Sequence, residues 1–226
     1  MAGRIIAITG AAGVLGQAVV KAAAAQGARL ALIDHAKACP GPEGAFVQTG
    51  VDLTDAVQAS AAMAAAGERL GGLDALLNIA GGFTWEKLEG GDPASWAAMH
   101  RLNVVTAANA CRAAIPHLKA SAAGRIVNVG SAAALKAGAG MGPYAAAKSG
   151  VHSLTQALAE ELKADGVTVN AVLPSIIDTP TNRADMPDAD FSAWVAPDDL
   201  AAVILFLASE AASAVTGALM PVTGRV

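Results

Sequence analysis

A chain of 226 residues suits one α/β domain, and 54% hydrophobic with 15% charged residues excludes a disordered polymer. A formal charge of −4 leaves no basic footprint for nucleic acid. No apolar stretch has the length of a membrane span or the form of a signal peptide, and Cys39 and Cys111 lack metal or redox spacing, which predicts a reduced, cytoplasmic chain with no metal.

Residues 4–9 form a continuous apolar run, the pattern of a strand covered on both faces. Thr9-Gly10-Ala11-Ala12-Gly13-Val14-Leu15-Gly16 follows directly, then a helical pattern to Gln26 that stops at Gly27. Glycines at a strand-to-helix turn let backbone approach a pyrophosphate, which the helix N-terminus stabilises. Gly10, Gly13, Leu15 and Gly16 are therefore candidate phosphate contacts. No Gly-Lys-Ser/Thr follows, which argues against a nucleotide triphosphatase. A second strand, residues 29–33, ends on Asp34, placed to accept from an adenosine ribose. A third, residues 45–49, leads to Asp52 and Leu53. Asp52 either bonds an adenine amine or caps the helix that runs to about Leu70.

Residues 73–77 predict a fourth strand, closing on Asn78-Ile79-Ala80-Gly81, small residues that let a strand end abut a flat cofactor. Asp92-Pro93 starts a helix that runs past Asn103 to about Lys119. By itself Asn103 reads as a bland surface residue in mid-helix. Residues 125–129 form a β-branched run, and Ser131 stands where that strand ends. After a glycine-broken loop, Pro143 opens a helix extending to about Ala164. Tyr144 and Lys148 then share one face, about one turn apart. That spacing alone fits a half-buried ring beside a solvated amine. With the Ser131 hydroxyl in the same volume, it becomes the kit for moving a proton on a carbinol oxygen.

A sixth strand spans residues 167–173, followed by Pro174 to Pro180. Residues 180–197 have no clear period and read as a substrate loop or short-helix lid. A last helix runs from Pro197 to about Glu210, and residues 218–222 form the final strand. Strands alternate with helices throughout, so the expected fold is one α/β domain over residues 1–226. It is a Rossmann-like, doubly wound parallel sheet of about seven strands with helices on both faces.

Taken together, these residues resemble the short-chain dehydrogenase/reductase family over essentially the whole length. The markers are Thr9-Gly10, Gly13, Gly16, Asp34, Asp52-Leu53, Asn78 to Gly81, Asn103, Ser131, Tyr144-x-x-x-Lys148, and Pro174 with Thr179. The resemblance implies that Tyr144 is the general acid/base and that Ser131 orients the substrate oxygen. It implies that Lys148 binds the nicotinamide ribose and lowers the tyrosine pKa, and that Asn103 supports a water-linked proton path. It extends the cofactor set to Asn78, Ala80, Gly81, Tyr144, Lys148, Pro174, Ile177 and Thr179. Moving a phenol from about 10 to about 7 needs roughly 4 kcal/mol. One positive charge about 4 Å away supplies about that much at an effective dielectric of 20. Departures from the family pattern are Val14, Ile79 and Ser175, and a C-terminus, Thr223-Gly224-Arg225-Val226, without a paired glycine.

The implied activity is hydride transfer between NAD(H) and a secondary alcohol or ketone. An NADP-dependent reductase of the same fold and a non-catalytic dinucleotide-binding sensor are the alternatives. A sugar-nucleotide epimerase would need a C-terminal domain for which too few residues follow Thr179. Trp85, Leu135, Met141, Ile176 and Trp194 are candidates for the substrate wall, although each tryptophan also suits core packing. The apolar wall predicts a neutral, fairly hydrophobic small molecule. The resemblance further implies a homodimer or homotetramer, built by the helices over residues 92–119 and 143–164.

Overall fold

The computed structural model describes residues 1–226. Seven strands form one sheet: β1 (Ile5–Thr9), β2 (Arg29–Ile33), β3 (Phe46–Gln48), β4 (Ala75–Asn78), β5 (Arg125–Val129), β6 (Thr168–Pro174) and β7 (Leu219–Val222). Every pairing is parallel, in the order β3-β2-β1-β4-β5-β6-β7. Seven helices cover it: α1 (Val14–Ala25), α2 (Ala56–Leu70), α3 (Ala94–His100), α4 (Thr106–Ala120), α5 (Gly142–Leu162), α6 (Pro180–Asp185) and α7 (Pro197–Leu207).

The period of two along each strand divides the core into halves. Ile5, Ala7, Ile33, Leu76 and Ile126 face α2, α4 and α5. Ile6, Ile8, Leu32, Leu77 and Val127 face α1 and α7. Strands clothed on both faces have no polar side to show, which is why they read as unbroken apolar runs. The chain starts at the middle of the sheet and builds outward both ways from β1. The connections therefore diverge between β1 and β4, and their carboxyl ends bound a crevice.

Three features differ from a regular alternation of strand and helix. The connection from β2 to β3, residues 34–45, crosses without a helix. It lies flat against the sheet at Gly41, where a Cβ would stand 2.7 Å from Leu32 Cδ1. The helix expected over residues 92–119 is interrupted by a π-helical turn, Arg101–Val105, between α3 and α4. The last helix stops at Leu207, before the expected Glu210.

Residues 180–197, expected as a substrate loop or short-helix lid, hold α6 and then a single 3₁₀ turn at Phe191–Ala193. Its base is pinned by the Ile177–Val195 bridge and by the C-terminus, where Arg225 N donates to Ala193 O at 2.9 Å. Ser175, one of the departures from the family pattern, donates its hydroxyl to Thr223 O at 2.8 Å. No helix is long and apolar enough to cross a membrane.

Candidate active site

The site lies along the carboxyl ends of β1, β4, β5 and β6. At the glycine turn, Gly10 has φ +66°, and a Cβ there would stand 2.6 Å from Ala80 N. A Cβ on Gly16 would stand 2.1 Å from Gly10 O. These two glycines are sterically required. Gly13 is less constrained, with 3.5 Å to its nearest neighbour, and it begins α1 without any side-chain cap. The first N–H groups of α1 thus have no side-chain acceptor, and the positive end of the helix dipole favours an anion there. Leu15 packs its side chain into the core, so only its backbone is available to a ligand.

Asp34 stands just beyond β2, with both carboxylate oxygens anchored. One accepts from Ala12 N and the other from Ala36 N, each at 2.8 Å. Asp52 accepts from Thr54 N at 2.9 Å and from the Thr54 hydroxyl at 2.7 Å, which holds its carboxyl below the usual range. The capping alternative for Asp52 is incorrect. Asp55 caps α2, accepting from Val57 N and Gln58 N. Leu53 is buried, and its carbonyl accepts from Asn109 Nδ2 at 3.0 Å.

Asn78 turns its side chain onto the sheet face covered by α4 and α5, where its Nδ2 lies 3.2 Å from Cys111 Sγ. Its Nδ2 donates to Asn128 Oδ1 at 2.9 Å, and Asn128 Nδ2 donates to Thr155 Oγ1 at 2.9 Å. Any contact of Asn78 with a cofactor is thereby left to its backbone. Ala80 N donates to Thr9 Oγ1, which ties β4 to β1 at the crevice. Gly81 has no room for a side chain, since a Cβ would stand 2.6 Å from Asn103 Oδ1 and 3.4 Å from Lys148 Nζ.

The surface reading of Asn103 is also incorrect. The residue is 1% exposed, at the centre of the π turn. Its Nδ2 donates to Gly82 O and Met99 O, both at 3.1 Å, and its Oδ1 accepts from Gly82 N at 3.2 Å. The wider turn sets this side chain against the strand end, which a regular 3.6-residue period does not predict.

Ser131 leads into a 3₁₀ turn, Ala132–Ala134, and its Oγ accepts from Ala133 N at 3.1 Å. Tyr144 sits in the first turn of α5, with the ring of Phe83 edge-on at 4.9 Å. Lys148 is buried, its Nζ 5.9 Å from the Tyr144 ring centre and donating to Val129 O at 2.8 Å. Burial brings its pKa down to about 8. Burial likewise pushes the Tyr144 phenol above its ordinary value, with the Ser131 hydroxyl pulling the other way. In the cofactor-free protein desolvation thus outweighs the Ser131 hydrogen bond; the lowering expected of Lys148 concerns the enzyme with its dinucleotide bound.

The candidate wall residues are differently placed, and Glu86 and Lys87 line the cavity beside Gly140 and Pro143. Trp85, 56% exposed, lies against Gly140, where φ is +76° and a Cβ would stand 2.3 Å from the indole. Glu86 N donates to Gly140 O at 2.8 Å, which fastens this segment to the loop carrying Met141. Leu135 is exposed beyond Ser131. Trp194 is packed: it is 8% exposed, with its ring 4.8 Å from that of Phe191.

The Ile176 carbonyl accepts from Val195 N, and the Ile177 carbonyl accepts from Asn182 Nδ2. Pro174 ends β6, and Thr179 caps α6. Arg183 is paired with Asp178 through two bonds of 2.6 and 2.7 Å, so the lid presents no free charge from this pair. Phe83 and His152 are additions to the site. Phe83 falls in a stretch without period, whereas His152 lies one helical turn beyond Lys148, a spacing that could have pointed to it.

The residues present fit a dinucleotide. Gly10 and Gly16 hold a tight strand-to-helix turn by packing backbone against backbone, beside an uncapped helix N-terminus and an anchored carboxylate. No group of three His, Cys, Asp or Glu side chains converges as metal ligands would.

Known proteins are similar to this chain in sequence and fold. A meso-2,3-butanediol dehydrogenase of Serratia marcescens is 33% identical, covering 98% of this chain and 93% of its own. A D-beta-hydroxybutyrate dehydrogenase of Cupriavidus necator is 32% identical, covering 98% and 97%. The crystal structure of carveol dehydrogenase from Mycobacterium avium in complex with NAD superposes with a TM-score of 0.87. It shares 29% identity over 99% of this chain and 97% of that one. The sequence model of the short chain dehydrogenases matches residues 4–190, and with that match the chain belongs to the short-chain dehydrogenase family, oxidoreductases that bind a nicotinamide dinucleotide.

Proposed function

We propose that this chain interconverts a neutral secondary alcohol and its ketone with NAD(H), Tyr144 being the general acid/base. One observation carries the reading: beside the carboxyl end of β5, the Tyr144 phenol bonds the Ser131 hydroxyl, and Lys148 Nζ lies 5.9 Å from the Tyr144 ring centre and on Val129 O. The bound nicotinamide supplies the acceptor or donor of hydride. Gly10, Gly13, Gly16 and the first N–H groups of α1 hold the pyrophosphate. Asp34 takes the adenosine ribose, Asp52 and Leu53 the adenine, and Pro174, Ile177 and Thr179 the nicotinamide end.

In oxidation, the Tyr144 oxygen takes the substrate hydroxyl proton while the Ser131 hydroxyl orients the same oxygen. In reduction, Tyr144 returns it. Lys148 stabilises the phenolate and holds the nicotinamide ribose. Asn103, its side chain occupied by Gly82 and Met99, supports the water-linked proton path from the π turn.

Three observations support the finer points. A 2′-phosphate beside the anchored Asp34 would place like charges about 5 Å apart, at a cost of about 3 kcal/mol at an effective dielectric of 20, roughly a hundredfold in favour of NAD. The apolar rim of Phe83, Trp85, Leu135 and Met141, with Arg183 already paired, favours a neutral substrate. Relatives named for butanediol and carveol act on secondary alcohols, and the carveol dehydrogenase structure contains NAD. The long alanine-rich faces of α4 and α5 pair across a two-fold to make a dimer or tetramer. Two free thiols suit a cytoplasmic setting.

The test is a panel of secondary alcohols (2,3-butanediol, 3-hydroxybutyrate, cyclohexanol and carveol) assayed with NAD and with NADP by absorbance of the reduced cofactor. NAD-linked oxidation of a neutral member is expected. Oxidation of 3-hydroxybutyrate alone would contradict the apolar wall, and inactivity across the panel would contradict the proposed activity.

A further inference from the structure

The catalytic helix grips the end of β5 at two points, and only one of them belongs to the family's Tyr-x-x-x-Lys pattern. Lys148 Nζ donates to Val129 O at 2.8 Å. His152, four residues on, accepts the backbone N–H of Ser131 through its Nε2 at 3.3 Å. The helix thus donates to one strand-end residue and accepts from another two positions along.

That second bond has no substitute. The last sheet bond of this strand is from Gly130 N to Val172 O, at 2.9 Å. Beyond it, the Ser131 N–H has the imidazole as its partner. An imidazole nitrogen accepts only when unprotonated, so the bond specifies a neutral ring with its proton on Nδ1. The surroundings suit that form. The ring is 6% exposed, and the charge facing it is the Lys148 ammonium on the same helix. The strand end presents Gly130 and Ser131 to it, neither of them titratable. Burial first, and Lys148 second, lower the imidazole pKa. Gly130 is matched to the ring, because a Cβ there would stand 2.5 Å from Nε2 and 2.7 Å from Cδ2.

We propose that His152 is a positioning residue for the reaction. Accepting the Ser131 N–H at Nε2, it fixes the peptide that carries the Ser131 hydroxyl in register with Tyr144 on the same helix. The proposal rests on the reading of Ser131 as the residue that orients the substrate oxygen. Misplacing a reacting group by about 1 Å costs on the order of a hundredfold in rate. Loss of the acceptor therefore predicts a fall in kcat of roughly ten- to a hundredfold, with little change in the KM for NAD.

The experiment compares His152→Leu, which has no acceptor, with His152→Gln, whose Oε1 can replace Nε2. The probe is the panel alcohol turned over fastest with NAD. His152→Leu is expected to lose kcat and His152→Gln to recover it to within about threefold, as amide oxygen and imidazole nitrogen accept alike. Nitrogen-15 spectra of histidine-labelled wild type, with the His152 signals identified by their loss in His152→Gln, should show the Nδ1–H tautomer. Equal kcat in His152→Leu and wild type, a Gln variant as impaired as Leu, or an Nε2–H tautomer would each overturn the proposal. Ser131→Ala, measured in parallel, separates the two readings. If it stays fully active, the role of Ser131 fails; if it is inactive while His152→Leu is unimpaired, the role of His152 alone fails.

Discussion

Tyr144 is the only tyrosine in the chain, so carbon-13 labelling at the ring ζ position follows its ionisation as a single resonance. In the cofactor-free protein, burial holds the phenol above its ordinary value of 10.0, while Lys148 titrates at about 8. The ammonium has therefore lost its proton before the phenol begins to ionise. Lys148→Met should leave the free-enzyme phenol nearly unmoved. With NAD bound, a phenol brought within reach of neutral pH must ionise against a charged Lys148. The amine lies 5.9 Å from the ring centre. At an effective dielectric of 20 a unit charge there is worth about 2.8 kcal/mol, roughly a hundredfold in proton affinity. Lys148→Met should thus weaken acidity by that factor in the NAD complex alone. A free-enzyme phenol titrating below its ordinary value, or an NAD complex indifferent to Lys148, would refute the coupling.

The same burial makes Lys148 a thermodynamic liability. Its folded pKa of about 8 lies below the ordinary 10.5, so the penalty is full below pH 8 and fades as pH rises toward 10.5. Lys148→Met is expected to stabilise the fold at pH 7 by roughly 1–3 kcal/mol in urea unfolding, with the gain shrinking at alkaline pH; destabilisation would contradict this. Asp34→Ala should narrow an NAD preference of about a hundredfold in kcat/KM, and comparable wild-type values for NADP and NAD would sink the role given to Asp34. Light scattering at micromolar concentration should show a dimer or larger, whereas a monomer would exclude pairing through α4 and α5.

The sheet was legible because burial on both faces leaves each inner strand as an apolar run bounded by glycine, asparagine or aspartate. Gly10 and Gly16 were legible for a similar reason: their spacing reports where backbone meets backbone. Tertiary context decided the rest. Asp52 and Asp55 both precede α2, and only the path of residues 52–55 shows which one caps it. Asn103 was misplaced because a π turn carries no signature in a 3.6-residue period. Trp194 and Trp85 are chemically alike, but one is buried and the other exposed. The upward push on the phenol in the cofactor-free protein was not legible, because sequence reveals a neighbouring charge but not the burial around it.

The proton-transfer role of Tyr144 is tested most directly by Tyr144→Phe, which removes one oxygen and keeps the ring that packs against Phe83. Circular dichroism and NADH fluorescence titration establish that fold and cofactor binding are retained, and NAD-linked turnover of the best panel alcohol is then measured. Turnover should fall by several orders of magnitude at unchanged NADH affinity, because only the proton carrier is lost. A Tyr144→Phe enzyme that binds NADH normally and oxidises the alcohol at near wild-type rate would contradict the role assigned to Tyr144.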